Sequence, residues 1–192
     1  MAILITGGAR SGKSDFAEQY AMQLTGKGIY IATSQIWDEE MKDRVALHRK
    51  ARAASGYAWE TLEEPYELAA ALRSLQERGR QEGNYPSVLV DCLTLWLSNW
   101  LLRLEQEADG ANQLAGVTDE LVAAVAAYEG PLLLVTNEVG SGIVPAYPLG
   151  RKFRDAAGRL NRRLAAVCTE AYLVVAGIPL DLKKLAFQLE ER

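Results

Sequence analysis

Gly7-Gly8-Ala9-Arg10-Ser11-Gly12-Lys13-Ser14 stands directly behind the apolar run Ala2-Ile3-Leu4-Ile5-Thr6. The octapeptide satisfies G-x-x-x-x-G-K-[ST] at every fixed position, with a strand-like run before it and a helix-like pattern after it. The glycines let the backbone wrap around an anion with its N–H groups pointing inward. The N-terminus of the following helix adds partial positive charge. Lys13 is placed to reach the β- and γ-phosphates, and the Ser14 hydroxyl to ligate Mg²⁺. A Gly-rich turn that fits by chance would lack this strand–helix frame. The expected ligand is therefore a nucleoside triphosphate, while the base and the reaction stay open.

Outward from the loop, Phe16, Ala17, Tyr20, Ala21 and Leu24 recur at helical spacing over 13–24, and Gly26 and Gly28 stop that helix. Gly28 to Thr33 reads as a second strand. Strand–helix–strand is the building block of a parallel sheet. Further along, the spacing predicts a charged, alanine-rich helix over 37–54, a short strand over 58–62 and a helix over 65–81 with Pro65 near its first turn. It continues with a strand over 87–91, a helix over 93–104, a polar loop over 105–113 and a helix over 116–128. A strand over 131–136, a Gly/Pro-rich loop over 137–148, a helix over 149–167 and a last strand over 171–175 follow. Residues 181–192 read as a loosely packed helical tail. Strands alternating with helices give an α/β fold, P-loop NTPase-like, with a mainly parallel sheet flanked by helices. The whole chain, 1–192, is expected to be a single nucleotide-binding domain, in which 37–64 supply a histidine-bearing helix and the strand after it.

The 192 residues are 49% hydrophobic and carry a formal net charge of -4. No global positive field gathers DNA or RNA, so nucleic acid is not an expected partner. Cys92 and Cys168 are far apart and form no Cys-x-x-Cys pair, which leaves buried free thiols as the expectation. The N-terminus lacks the basic start and long apolar stretch of a signal peptide. No apolar run approaches the roughly 20 residues of a membrane span. A cytoplasmic location is expected.

Val88-Leu89-Val90-Asp91 is an apolar run ending in a carboxylate. Beside a P-loop such an acid holds Mg²⁺, directly or through water. A helix N-cap is the alternative. His48 is the only histidine; on a helix it shares a face with Glu40, Arg44 and Arg52, in a basic, solvent-side stripe. Neighbouring cations disfavour the imidazolium. A neutral imidazole is a competent nucleophile toward phosphorus. An exposed histidine with no role is the alternative. The loop from Asn137 to Pro148 follows a strand end, where it is either a substrate lid or purely structural. Trp96 and Trp100, four apart in an apolar helix, read as core or subunit-interface residues. The arginines of the long helix, from Arg151 to Arg163, read as a solvated face.

Several segments taken together resemble one family, the bifunctional adenosylcobinamide kinase / adenosylcobinamide-phosphate guanylyltransferase of cobalamin biosynthesis. The resemblance rests on the P-loop, on Tyr30-Ile31-Ala32-Thr33-Ser34-Gln35, on Asp38-Glu39-Glu40-Met41 with Arg44 and His48-Arg49, and on Trp59-Glu60-Thr61-Leu62-Glu63. It continues in Leu93-Thr94 after Asp91-Cys92, in Val135-Thr136-Asn137-Glu138-Val139-Gly140-Ser141-Gly142-Ile143-Val144-Pro145, and from Phe153 to Arg162. It covers about residues 1 to 180. It implies phosphorylation of the aminopropanol hydroxyl of adenosylcobinamide by GTP or ATP. It also implies transfer of GMP from GTP onto that phosphate, through a GMP–histidine phosphoramidate at the position of His48. By the same resemblance Gly8, Ala9, Arg10, Ser11, Gly12, Lys13, Ser14 and Asp15 bind the GTP phosphates. Thr33, Ser34 and Gln35 line the nucleotide site, and Arg49, Lys50, Ala51, Arg52, Glu63 and Asp91 match nucleotide-contacting places. Asp91 departs from the glutamate of some relatives, which bears on contact geometry. The family's propeller-like trimer is expected here too. One loop-held nucleotide presents its α- and γ-phosphorus to one group only by moving or rebinding, and a mobile histidine-bearing helix would reconcile the two reactions. A P-loop kinase of another pathway and a non-enzymatic GTP switch are the competing readings.

Overall fold

In the computed structural model, residues 1–35, 39, 43, 46, 50 and 52–187 are described. Among them, seven strands form one sheet: β1 (Ala2–Gly7), β2 (Lys27–Ala32), β3 (Ala58–Glu63), β4 (Ser87–Asp91), β5 (Leu132–Val135), β6 (Glu170–Val175) and β7 (Ile178–Asp181). Their order is β3-β2-β4-β5-β1-β6-β7. Every pairing is parallel except that of β6 with β7. The helices are α1 (Lys13–Leu24), α2 (Leu68–Glu82), α3 (Leu93–Arg103), α4 (Gly110–Ala127), α5 (Pro148–Val167) and a single turn, α6 (Leu182–Leu185). The expected α/β architecture with a mainly parallel sheet is thus what the chain forms.

The central strands are near-continuous apolar runs because both faces of the sheet are covered. Successive side chains point to opposite faces. Ile3, Ile5, Leu89, Leu133 and Val135 meet Ala17 and Ala21 of α1. Leu4, Val88, Val90, Leu132 and Leu134 share a core with Leu72, Trp96, Leu121 and Leu160 of α2 to α5. Trp96 is 1% exposed and Trp100 9%, so both belong to the core, and each indole N–H donates to the Tyr66 carbonyl. Both cysteines are buried free thiols. Among the described residues no helix is long and apolar enough to cross a membrane.

Four elements depart from the sequence reading; one is the tail read as helical over 181–192, in which Asp181 ends β7 and, among the described residues, only Leu182–Leu185 is helical. Helix α2 begins at Leu68 rather than at Pro65, because the Glu64 carboxylate accepts from the backbone N–H groups of Tyr66 and Glu67 and turns the chain first. Helix α4 begins at Gly110, inside the stretch read as a polar loop. A Cβ at Gly110 would lie 2.4 Å from the Leu104 carbonyl oxygen, so the glycine that looks like a breaker permits a close approach. Strand β7 was not expected; it returns antiparallel to β6 through a turn at Ala176 and Gly177, both with positive φ. Pro179 is tolerated there because β7 is an edge strand.

Parallel pairing places the carboxyl ends of β1, β2, β3, β4 and β5 along one edge of the sheet. In open α/β sheets this edge is where ligands bind.

Candidate functional site

The phosphate loop follows β1, beside β5 on that edge. Its curvature depends on two left-handed residues, Arg10 at φ 56 and Gly12 at φ 88. The Ser11 N–H donates to the Gly8 carbonyl at 3.3 Å, and the Lys13 ammonium donates to the same oxygen at 3.1 Å. Lys13 is only 9% exposed. Gly8, Ala9, Arg10 and Asp15 are exposed, while Ser11, Gly12 and Ser14 are half-buried. The hydroxyl oxygen of Ser11 is enclosed without a hydrogen-bond partner. The β6–β7 turn supports the loop from behind: the Gly177 N–H donates to the Ser11 carbonyl at 2.8 Å. A Cβ at Gly12 would come within 3.2 Å of the Gly177 Cα. This support comes from the β6–β7 turn, far from the motif in sequence, so the motif alone does not encode it.

Two strands away, Asp91 ends β4 and is half-buried. The Tyr30 hydroxyl donates to Asp91 Oδ2 at 3.0 Å. Burial, reinforced by the Asp91 charge, raises the Tyr30 pKa far above the ordinary value, so the phenol stays a neutral donor. Over the Tyr30 ring lies the Arg52 guanidinium, its Cζ 3.5 Å from the centroid. Arg52 also pairs with Glu18 of α1 at 3.4 Å and is 5% exposed. Arg52 is therefore not part of a solvent-side stripe: the aromatic face and the α1 carboxylate draw its guanidinium inward. Tyr30→Phe keeps the ring under Arg52 and removes the bond to Asp91. It should cost about 1.5–3 kcal/mol in urea denaturation, the range of a hydrogen bond to a charged group.

Thr33 is fully buried; its hydroxyl donates to the Cys92 carbonyl at 2.7 Å and accepts from the Cys92 N–H at 2.9 Å. Its side chain thus fixes the chain beyond Asp91. Ser34 and Gln35 are half-buried, and Gln35 Oε1 is enclosed without a hydrogen bond. Along β3, from Tyr57 before its start to Glu63 at its carboxyl end, an open cavity of ≈ 500 Å³ is lined by Arg52, Ala53, Tyr57, Trp59, Thr61 and Glu63. Lys50 is helical and exposed. His48, Arg49 and Ala51 lie outside the described residues. Among the candidates that are described, the phosphate loop, the 33–35 turn, Arg52, Glu63 and Asp91 all occupy the same edge. Ser14 and Asp91 offer a hydroxyl and a carboxylate, the hard oxygen donors that Mg²⁺ prefers. Among the described residues no group of three or more His, Cys, Asp or Glu side chains gathers for a metal. A metal here would share its shell with phosphates and water, as Mg²⁺ does at nucleotide sites.

The strand between the two, β5, ends in a pinned segment. The Asn137 N–H donates to Thr94 Oγ1 at 2.9 Å, and Thr136 Oγ1 donates to Asn161 Oδ1 at 2.8 Å. The Asn161 amide donates in turn to the Asn137 carbonyl at 3.2 Å. The Glu138 N–H donates to the Gly7 carbonyl at 3.1 Å, joining this segment to the phosphate loop. Residues 137–138 were read from sequence as part of a loop of either kind; the structure shows its first residues are fixed.

The fold is similar to that of a solved ATPase domain, with a TM-score of 0.53 at 12% identity over 90% of this chain and 68% of that one. A bifunctional adenosylcobalamin biosynthesis protein CobP from Pseudomonas aeruginosa is 45% identical over 183 residues, 95% of this chain and 98% of the relative. A bifunctional adenosylcobalamin biosynthesis protein CobU from Salmonella typhimurium is 40% identical over 194 residues, 95% of this chain and all of the relative. The family model for cobinamide kinase / cobinamide phosphate guanyltransferase matches residues 3–182. With a phosphate loop, an acid two strands away and a near full-length match, the chain belongs to the cobinamide kinase / cobinamide phosphate guanyltransferase family.

Proposed function

We propose that the protein phosphorylates adenosylcobinamide with GTP or ATP and then transfers GMP from GTP to the adenosylcobinamide phosphate. The observation that carries this reading is the gathering of the phosphate loop, Asp91 and the Arg52–Glu63 cavity along one sheet edge. In the first reaction the loop amides and Lys13 hold the triphosphate. The substrate hydroxyl attacks the γ-phosphorus, its proton leaves and the nucleoside diphosphate departs. Mg²⁺ would supply charge neutralisation on the phosphate oxygens, held by Ser14 and by Asp91. The Tyr30 hydroxyl on Oδ2 fixes the orientation of the Asp91 carboxylate. In the second reaction His48 is the nucleophile: a ring nitrogen attacks the α-phosphorus of GTP, pyrophosphate leaves, and the substrate phosphate displaces histidine from the phosphoramidate. His48 is the one imidazole in the chain, so no other histidine substitutes. The cavity lined by Arg52 and Glu63 suits the nucleoside end, because a carboxylate accepts from the N–H groups of guanine.

A homotrimer fits the exposed apolar row Ile178, Leu180 and Leu185 along β7 and α6, which another copy would cover. The cytoplasm is the location that suits two free thiols.

The decisive test is GTP labelled at the α-phosphorus, incubated with the protein, followed by denaturation. Acid-labile label is expected to stay with the wild-type chain and to be absent from His48→Ala, which should still phosphorylate adenosylcobinamide. A wild-type chain that retains no label would sink the covalent route.

A further inference from the structure

The phosphate loop and Asp91 hold the nucleotide end of the kinase site, which leaves the acceptor to approach from a surface with no assigned residues. Strand β5 lies between β4 and β1, so the loop that leaves it rises between Asp91 and the phosphate loop. The Glu138–Gly7 and Asn137–Thr94 hydrogen bonds fix its root there. Its far end is fixed as well. Arg151 donates to the carbonyls of Pro145 and Ala146 at 3.0 and 2.7 Å. Gly150 admits the rings of Pro145 and Tyr147, since a Cβ there would lie 2.7 Å from each. Val139 packs against the core. Between these anchors the chain presents apolar side chains to water: Ile143 is 96% exposed, Val144 59% and Tyr147 64%.

An anchored loop that holds apolar side chains outward beside a phosphate site has a surface to cover. Resting on the kinase reading above, we propose that Ile143, Val144 and Tyr147 form the platform for the corrinoid macrocycle, whose aminopropanol arm then reaches inward to the γ-phosphate. Two features select this occupant over a second nucleotide. The Arg52–Glu63 cavity lies across β2 and β4 from this loop, on the far flank of the edge, so the nucleoside end and the platform do not compete. The acceptor hydroxyl must also lie in line with the bond being broken. A platform at the root of β5 sets the ring methyls of a large macrocycle on the open side of the phosphate loop, with its arm directed back over Gly7.

The test is the double variant Ile143→Ser, Val144→Ser, made at solvent-exposed positions where the fold does not depend on the side chains. In steady-state kinase assays its KM for adenosylcobinamide should rise about 10-fold or more, as expected when two apolar side chains lose coverage. The KM for GTP and the α-label retained on the chain should stay at wild-type values. Equilibrium dialysis of adenosylcobinamide without nucleotide should show the same loss. An unchanged corrinoid KM overturns the platform, and if light scattering then shows a smaller assembly, the loop is a subunit contact instead. A wild-type protein that holds the α-label but phosphorylates no adenosylcobinamide would overturn the kinase reading itself, a result the variant does not mimic.

Discussion

Lys13→Ala is expected to lower phosphorylation of adenosylcobinamide and guanylyl transfer together, each by about 10²–10³-fold, the scale of losing one preorganised donor to developing negative charge. Both reactions draw on the same triphosphate cradle, so they fall in parallel, unlike in His48→Ala. The folded chain itself should not suffer. Lys13 is 9% exposed as a residue, and the bond the structure gives its ammonium is to the Gly8 carbonyl, with no carboxylate paired to it among the described residues. A desolvated cation without a counter-charge is costly. Thermal melting without nucleotide should therefore be unchanged or slightly raised. Wild-type protein at a GTP concentration of about 100 Kd should gain about 2.7 kcal/mol, and the variant should gain far less. A variant that melts many degrees lower without nucleotide would show that the lysine holds the loop together and would reassign its role.

Trp96→Ala is expected to have the largest effect on stability. The residue is 1% exposed, belongs to the core cluster that includes Val88, Val90, Leu132 and Leu134, and donates its indole N–H to the Tyr66 carbonyl. Truncating such a side chain costs about 3–5 kcal/mol. That is a large part of the 5–15 kcal/mol that holds a typical domain together. The loss should appear as a lower urea midpoint at unchanged slope. Trp96→Phe keeps most of the apolar volume and loses the hydrogen bond, so its cost should be about 1–2 kcal/mol. Helix α3 starts two residues after Asp91, so Trp96→Ala should also impair catalysis at temperatures where the chain is still folded. Equal midpoints for the alanine variant and the wild type would contradict the placement of Trp96 in the core.

The phosphate loop was legible because its function lies in the local chain. Glycines at fixed spacing, a lysine and a hydroxyl need only a strand before them and a helix after them. The central strands were legible for a related reason: a strand covered on both faces leaves an uninterrupted apolar run, as in Ile3-Leu4-Ile5 and Val88-Leu89-Val90. The family resemblance, carried by the phosphate loop, the Ala-Thr-Ser-Gln turn and the Asn-Glu-Val-Gly loop, rests on such local segments as well. Helical spacing predicted which residues share a face with His48 but not what that face meets. Arg52 was read as solvated, yet it lies between Tyr30 and Glu18, neither of which is near it in sequence. Strand β7 escaped because residues 176–180, with Gly177 and Pro179, carry no strand pattern of their own, and only pairing with β6 makes an edge strand of them.

By itself, then, the sequence determined the anion cradle, the alternation of strands and helices and the single available imidazole. Each of these is encoded in near-neighbour chemistry. Only the tertiary structure decided that β5 separates the cradle from Asp91, that Gly177 supports Ser11, that Tyr30 orients Asp91 and that Arg52 covers the Tyr30 ring. Those relations join residues dozens to more than a hundred positions apart, and they exist because burying both faces of the sheet fixes which strands lie side by side.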